Sequence, residues 1–123
     1  MATILIVDDE VPSLAMLRLF LEAIGYKVLA AENEAAGIDI FTTEKPSIVI
    51  TDIKMPGKDG LLLLKKIKAT VPETQVIVIT GHGDRDLEKQ ALDSGAAHFL
   101  HKPLDPVALK QALQQAQQHV QSF

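Results

Sequence analysis

The sequence predicts an α/β fold: a doubly wound, five-stranded parallel sheet with helices on both faces. Three observations predict it. Short, largely apolar runs recur five times, and the first, third and fourth are the Ile- and Val-rich kind that strands buried on both faces show. Between them lie helix-length amphipathic stretches joined by short connections, the pattern of right-handed crossovers between parallel strands. Finally, 123 residues with 47% hydrophobic and 23% charged content describe one ordinary globular domain spanning 1–123. A chain of that size buries roughly two-thirds of its unfolded surface.

The first strand, residues 3–7 (Thr-Ile-Leu-Ile-Val), ends in Asp8-Asp9-Glu10. Pro12 suits the first turn of the following helix, where its missing N–H costs nothing. Leu14, Leu17, Leu21 and Ile24 mark one face of that helix, and Gly25 stops it. Residues 27–31 form the second strand. The second helix runs from about Asn33 to Glu44 with Ala36, Ile40 and Phe41 inward, and Pro46 separates it from the third strand. That strand, Ser47-Ile48-Val49-Ile50-Thr51, runs straight into Asp52, and a Met55-Pro56-Gly57 turn follows.

Asp59 is placed to cap a third helix through about Thr70, with Leu61, Leu64 and Ile67 toward the sheet and Lys65, Lys66 and Lys68 toward water. Val76 to Thr80 is the fourth strand and leads into Gly81-His82-Gly83-Asp84. A fourth helix from about Asp84 to Ser94 carries Arg85, Glu88, Lys89 and Asp93 on its polar face and ends at Gly95. Ala97 to His101 is the fifth strand and enters Lys102-Pro103. The last helix, from Asp105, is expected to bury Val107, Leu109, Leu113, Ala116 and Val120. Leu109, Leu113, Ala116 and Val120 also step like a coiled-coil seam, but packing on the chain's own sheet is the favoured reading.

Composition excludes several functions. With no cysteine, disulfides, thiolate metal sites and a cysteine nucleophile are ruled out. The net charge of −4 comes with interleaved acids and bases and no basic stripe, which argues against direct nucleic-acid binding. The start lacks the basic region of a signal peptide, and no apolar run approaches the roughly 18 residues of a membrane span. A soluble, cytoplasmic protein with no membrane contact is expected. His98 and His101 fall on opposite faces of a strand and make a poor zinc pair. Carboxylates, rather than a glycine-rich phosphate loop, follow the first strand, which argues against flavin phosphate binding.

Parallel strands share one carboxyl edge, where open α/β sheets place their chemistry. Here that edge collects Asp8 and Asp9, Asp52, Thr80 and Lys102 from four separate strands. Each has a local explanation as a helix-end acid, a strand terminus or turn punctuation. Their joint placement on one edge points instead to a site. Three clustered carboxylates need a cation, and Mg²⁺ suits a site of few carboxylates with remaining waters. The three acidic charges, balanced by Mg²⁺ and Lys102, leave a site of about zero charge that admits a phosphoryl group. An ionised Asp can attack phosphorus in line to give an aspartyl phosphate.

Over its whole length the sequence resembles the receiver domains of bacterial two-component response regulators, including the chemotaxis receiver and enhancer-activator receivers. The resemblance rests on Asp8-Asp9, Asp52 with Met55-Pro56 and Asp59-Gly60, Thr80-Gly81, and Phe99 ahead of Lys102-Pro103. It implies the flavodoxin-like strand order 2-1-3-4-5 and makes Asp52 the phosphoacceptor. It further implies Mg²⁺ ligation by Asp9, Asp52 and the carbonyl of Lys54, with Asp8 acting through water. Thr80 and Lys102 would contact the phosphoryl group, Phe99 would be the aromatic switch, and the peptide before Pro103 is often cis.

The resemblance further implies that Lys54 and His82 occupy the positions that tune phosphoryl lifetime. Lys54 is expected to cover the site and lengthen it; His82 orienting the hydrolytic water is the opposing reading. The implied partners are a sensor histidine kinase or phosphotransfer protein and a downstream effector domain or protein. The resemblance implies an output surface of the fourth helix, fifth strand and fifth helix, of which the fourth helix and fifth strand would also serve a phosphorylation-linked homodimer. Such a chain is a phosphoacceptor that assists its own phosphoryl transfer and autodephosphorylation, not an enzyme. The alternative function is a phosphate-independent interaction module with the same fold.

Overall fold

The computed structural model describes the backbone of residues 2–52, 54–55, 58–81 and 85–121, and the side chains of all these except 54, 55, 58–60, 85, 120 and 121. Five parallel strands form one sheet: β1 Thr3–Val7, β2 Lys27–Ala31, β3 Ile48–Asp52, β4 Gln75–Thr80 and β5 His98–His101. Their order is β2-β1-β3-β4-β5, the expected 2-1-3-4-5. Five helices connect them: α1 Val11–Ala23, α2 Glu34–Glu44, α3 Gly60–Thr70, α4 Arg85–Asp93 and α5 Pro106–Gln121. Lys54–Met55 and Lys58–Asp59 make a further two-residue antiparallel pairing on either side of the Met-Pro-Gly segment, of which Pro56 and Gly57 lie outside the described residues.

Strand alternation divides the core into two layers. Ile4, Ile6, Ile48, Ile50, Ile77 and Ile79 face α1 and α5, where they meet Leu14, Leu17, Leu21, Leu109 and Leu113. The intervening Leu5, Val7, Val49, Val76 and Val78 face the other way, against Phe41, Leu61, Leu64, Ile67 and Ala91. Both faces of every central strand are therefore dry, which is why the strands read as continuous apolar runs. Burying each Ile or Leu contributes about 1.5–3 kcal/mol.

Local chemistry sets the element ends. Asn33 Oδ1 accepts from the Ala36 amide at 2.8 Å and caps α2. Asp105 Oδ1 accepts from the Val107 amide at 2.9 Å, just ahead of Pro106 in the first position of α5. Gly25 and Gly95, at φ 106° and 103°, close α1 and α4 in the left-handed region. Gly37 lets α2 approach β1 closely: a Cβ there would lie 3.0 Å from Val7 Cγ2.

Two expectations are overturned. Val107 is 63% exposed rather than buried, because it stands in the first turn of α5, before the helix reaches the sheet at Leu109. Lys68, expected to face mostly water, is half-buried. Its Nζ turns back to donate to the Pro72 carbonyl at 2.6 Å and the Thr74 carbonyl at 2.9 Å, which ties the loop after α3 to the helix. Leu63, absent from the expected inward set, is fully buried. Leu109, Leu113 and Ala116 pack on the sheet as favoured, while the Val120 side chain lies outside the described residues. Among the described residues no helix is long and apolar enough to cross a membrane.

Candidate functional site

Strand register brings the acids together. Val7 pairs with Thr51 and Ala31, so Asp8 leaves β1 at the height where Asp52 ends β3. Asp8 is held there by its amide, which donates to the Ala31 carbonyl at 3.1 Å. Its Oδ1 accepts from the Glu10 amide at 2.9 Å, fixing the tight turn from β1 into α1. Asp52 lies opposite Ile79, which puts Thr80 one step further along the neighbouring strand. Thr80 in turn pairs with His101, and its carbonyl accepts from the Lys102 amide at 2.7 Å. The Lys102–Pro103 peptide is cis.

β5 is not a neighbour of β3, so contact between Lys102 and Asp52 must cross the tip of β4. Strands lie about 4.8 Å apart, and the long lysine stem bridges the gap. Lys102 Nζ donates to Asp52 Oδ2 at 2.9 Å, to Asp8 Oδ2 at 3.2 Å and to Glu10 Oε1 at 3.2 Å. Asp8 and Asp52 are buried, whereas Glu10 is largely exposed. One carboxylate oxygen from each of Asp8, Asp9, Glu10 and Asp52 lies within 4.8 Å of the others.

The electrostatics follow from this crowding. Burial pushes the Asp8 carboxyl above the usual range and the Asp52 charge adds to it, against the Glu10 amide and the Lys102 ammonium. For Lys102, burial acts to lower the pKa. The hydrogen bond to Asp52, the charges of Asp52 and Asp8 and the hydrogen bond to Glu10 outweigh it, so the ammonium is held above the ordinary lysine range. One ammonium faces four carboxylates, and the set has only hard oxygen donors. Such a donor set fits Mg²⁺ or a similar hard divalent cation, and Asp8, Asp9, Glu10 and Asp52 could hold it.

The structure thus brings together Asp8, Asp9, Asp52 and Lys102, all singled out from sequence, and adds Glu10, which was not. The charge count of about zero overlooked that acid. A signal for it existed: Glu10 directly follows Asp8-Asp9 and precedes the helix, within reach of the same edge. Thr80 is fully buried at the end of β4, beside Lys102 in the backbone. Phe99 stands apart from the acids. It is partly buried on the α4 side, its ring edge-on to His101 with centroids 5.3 Å apart, and His101 Nε2 lies 3.4 Å from Glu88 of α4. The Lys54 side chain and all of His82 lie outside the described residues.

Toward α1 and α5 the acids border an apolar groove of about 380 Å³, walled by Met16, Leu17, Phe20, Leu104 and Leu109.

Comparison with known proteins agrees with this geometry. A family model described as the response regulator receiver domain matches residues 4–114. The chain is 38% identical over 115 residues to the transcriptional regulatory protein GlrR of Escherichia coli (strain K12), covering 94% of this chain and 26% of that protein. It therefore spans about a quarter of the length of that regulator. It is 34% identical over 110 residues to sporulation initiation phosphotransferase F of Bacillus subtilis (strain 168), with 89% of each chain covered. A crystal structure of a response regulator receiver domain protein from Clostridium thermocellum superposes with a TM-score of 0.90 at 39% identity, covering 94% of both chains.

Proposed function

This chain belongs to the response regulator receiver domain family, and from that premise we propose that Asp52 accepts a phosphoryl group from a phosphohistidine donor and thereby switches a partner-binding surface. The single observation that carries the reading is the Lys102 ammonium lying 2.9 Å from Asp52 and 3.2 Å from Asp8. Folding does not require this arrangement: a cation and several acids at one sheet edge cost desolvation that apolar residues would avoid.

The ionised Asp52 carboxylate forms a P–O bond as the donor's P–N bond breaks, and the electron pair leaves with the imidazole nitrogen, which takes up a proton. Lys102 moves from its carboxylate partners to the new phosphoryl oxygens and balances their charge. Thr80 donates its hydroxyl to the same group. When bound, Mg²⁺ neutralises charge on the transferring oxygens; Asp9, Asp52 and the Lys54 carbonyl would hold it directly and Asp8 through water.

Strand alternation places Thr80, Phe99 and His101 on the face that α4 covers. Drawing Thr80 toward the phosphoryl group opens room into which Phe99 turns, and the α4-β5-α5 surface changes with it. A sensor histidine kinase or phosphotransfer protein supplies the phosphoryl group in the cytoplasm, and an effector domain or protein reads the surface. The chain is a phosphoacceptor in this scheme, not an enzyme acting on an external substrate.

Intact mass after incubation with Mg²⁺ and acetyl phosphate tests this directly. One added phosphate is expected on wild type, and none on Asp52→Asn or in EDTA. Mg²⁺ binding without phosphate uptake, from acetyl phosphate and from a histidine kinase alike, would sink the proposal in favour of a phosphate-independent interaction module.

A further inference from the structure

We infer that Glu10 sets the charge preference of the site: it strengthens divalent-cation binding and slows phosphoryl uptake from highly charged small donors. The inference rests on the phosphoacceptor reading above for its donor half only. Glu10 Oε1 lies 3.2 Å from Lys102 Nζ, and its carboxylate belongs to the cluster within 4.8 Å that includes Asp52. The Glu10 backbone is pinned from two sides: its amide donates to Asp8 Oδ1 at 2.9 Å, and its carbonyl accepts from the Leu14 amide at 3.0 Å. The side chain is thus delivered to the site by the turn that builds Asp8, even though it is 63% exposed.

Two consequences follow from that placement. Four carboxylates against Lys102 and a divalent cation leave the site with one net negative charge, where three carboxylates leave none. The extra charge attracts the cation and repels an incoming anion, more strongly the higher the donor's charge. Glu10 also competes with the phosphoryl group for the Lys102 ammonium, since the N–H that pairs with Glu10 is not offered to phosphoryl oxygens while that pair holds. Because Glu10 borders solvent, both effects are moderate and screened by salt.

Glu10→Gln removes the charge while keeping an oxygen to accept from Lys102, and an exposed position tolerates the change. A Mg²⁺ titration of the unphosphorylated protein followed by ¹H–¹⁵N NMR reads the first effect without any phosphodonor. The expected result is an affinity about 3–10-fold weaker in Glu10→Gln at low salt. At saturating Mg²⁺, phosphorylation by dianionic acetyl phosphate is expected to rise about 3–10-fold. With the less charged phosphoramidate it should rise only about 2–3-fold, and the gap should close at high ionic strength.

Unchanged Mg²⁺ affinity together with an unchanged ratio of the two donor rates overturns the inference, leaving Glu10 a surface acid. Equal acceleration with both donors, insensitive to salt, overturns the charge account. A wild-type protein that binds Mg²⁺ but accepts no phosphate defeats the phosphoacceptor reading and the donor half with it. The cation titration still decides whether Glu10 tightens the site.

Discussion

Lys102 is the residue on which the resting site turns. Its side chain is 21% exposed, and it pairs with the buried carboxylates of Asp8 and Asp52 while reaching out to Glu10. Replacing it with Met leaves these carboxylates facing one another without the ammonium that bridges them. Removing one partner of a buried ion pair costs more than the pair contributes, since the remaining charge stays desolvated. Partial exposure tempers this, so Lys102→Met should lose about 1–3 kcal/mol in urea unfolding at pH 7 without divalent cations. Mg²⁺ should then raise the urea midpoint of the variant more than that of wild type, because the cation becomes the main counter-charge. Equal midpoints for the two proteins in EDTA would show that these ion pairs contribute nothing.

Among the elements, the junction of α3, α4 and β5 shows how a helix end can be tied down by a residue far from it. Gly95 ends α4 at φ 103°, and a Cβ there would meet Lys68 Cε at 3.0 Å. The Lys68 stem lies under this turn while its Nζ holds the Pro72 and Thr74 carbonyls, and burial lowers its pKa. Gly95→Ala should therefore destabilise by about 1–2 kcal/mol, chiefly through left-handed backbone strain. Urea denaturation at neutral pH checks this; no loss would mean that the turn relaxes to negative φ. The fate of Lys68 was not legible from its sequence neighbours, because a lysine on a helix face ordinarily points to water. Only the carbonyls brought back by the following loop turned it inward.

For the molecule as a whole, acid stability carries the mark of His98. Burial lowers its pKa below the ordinary histidine value of about 6.5. The unfolded chain then binds a proton at a pH where the folded chain stays neutral. The resulting stability is fully present above about pH 6.5 and declines as the pH falls below it. His98→Gln should flatten that decline, seen as a smaller drop in urea midpoint between pH 7 and about pH 5. A decline of undiminished slope would assign the acid sensitivity to other groups. His101, on the opposite side of the strand, lies beside Glu88 instead.

The sequence by itself determined the sheet, its two-layer core and the chemical character of its carboxyl edge. Those features follow from local periodicity: a strand dry on both faces must be apolar at every position, so Ile48 to Ile50 and Val76 to Ile79 announce themselves. The polar residue that ends such a run marks the strand tip, which is why Asp8, Asp52 and Thr80 could be named before any fold was known. Which of these groups touch depends on the three-dimensional packing. Lys102 reaching Asp52 across β4, Glu10 joining them, and Val107 standing clear of the sheet depend on strand register, turn direction and side-chain reach. These are relations between residues distant in the chain. No one-dimensional pattern carries them, because the distance between two side chains is set by the packing of every element between them.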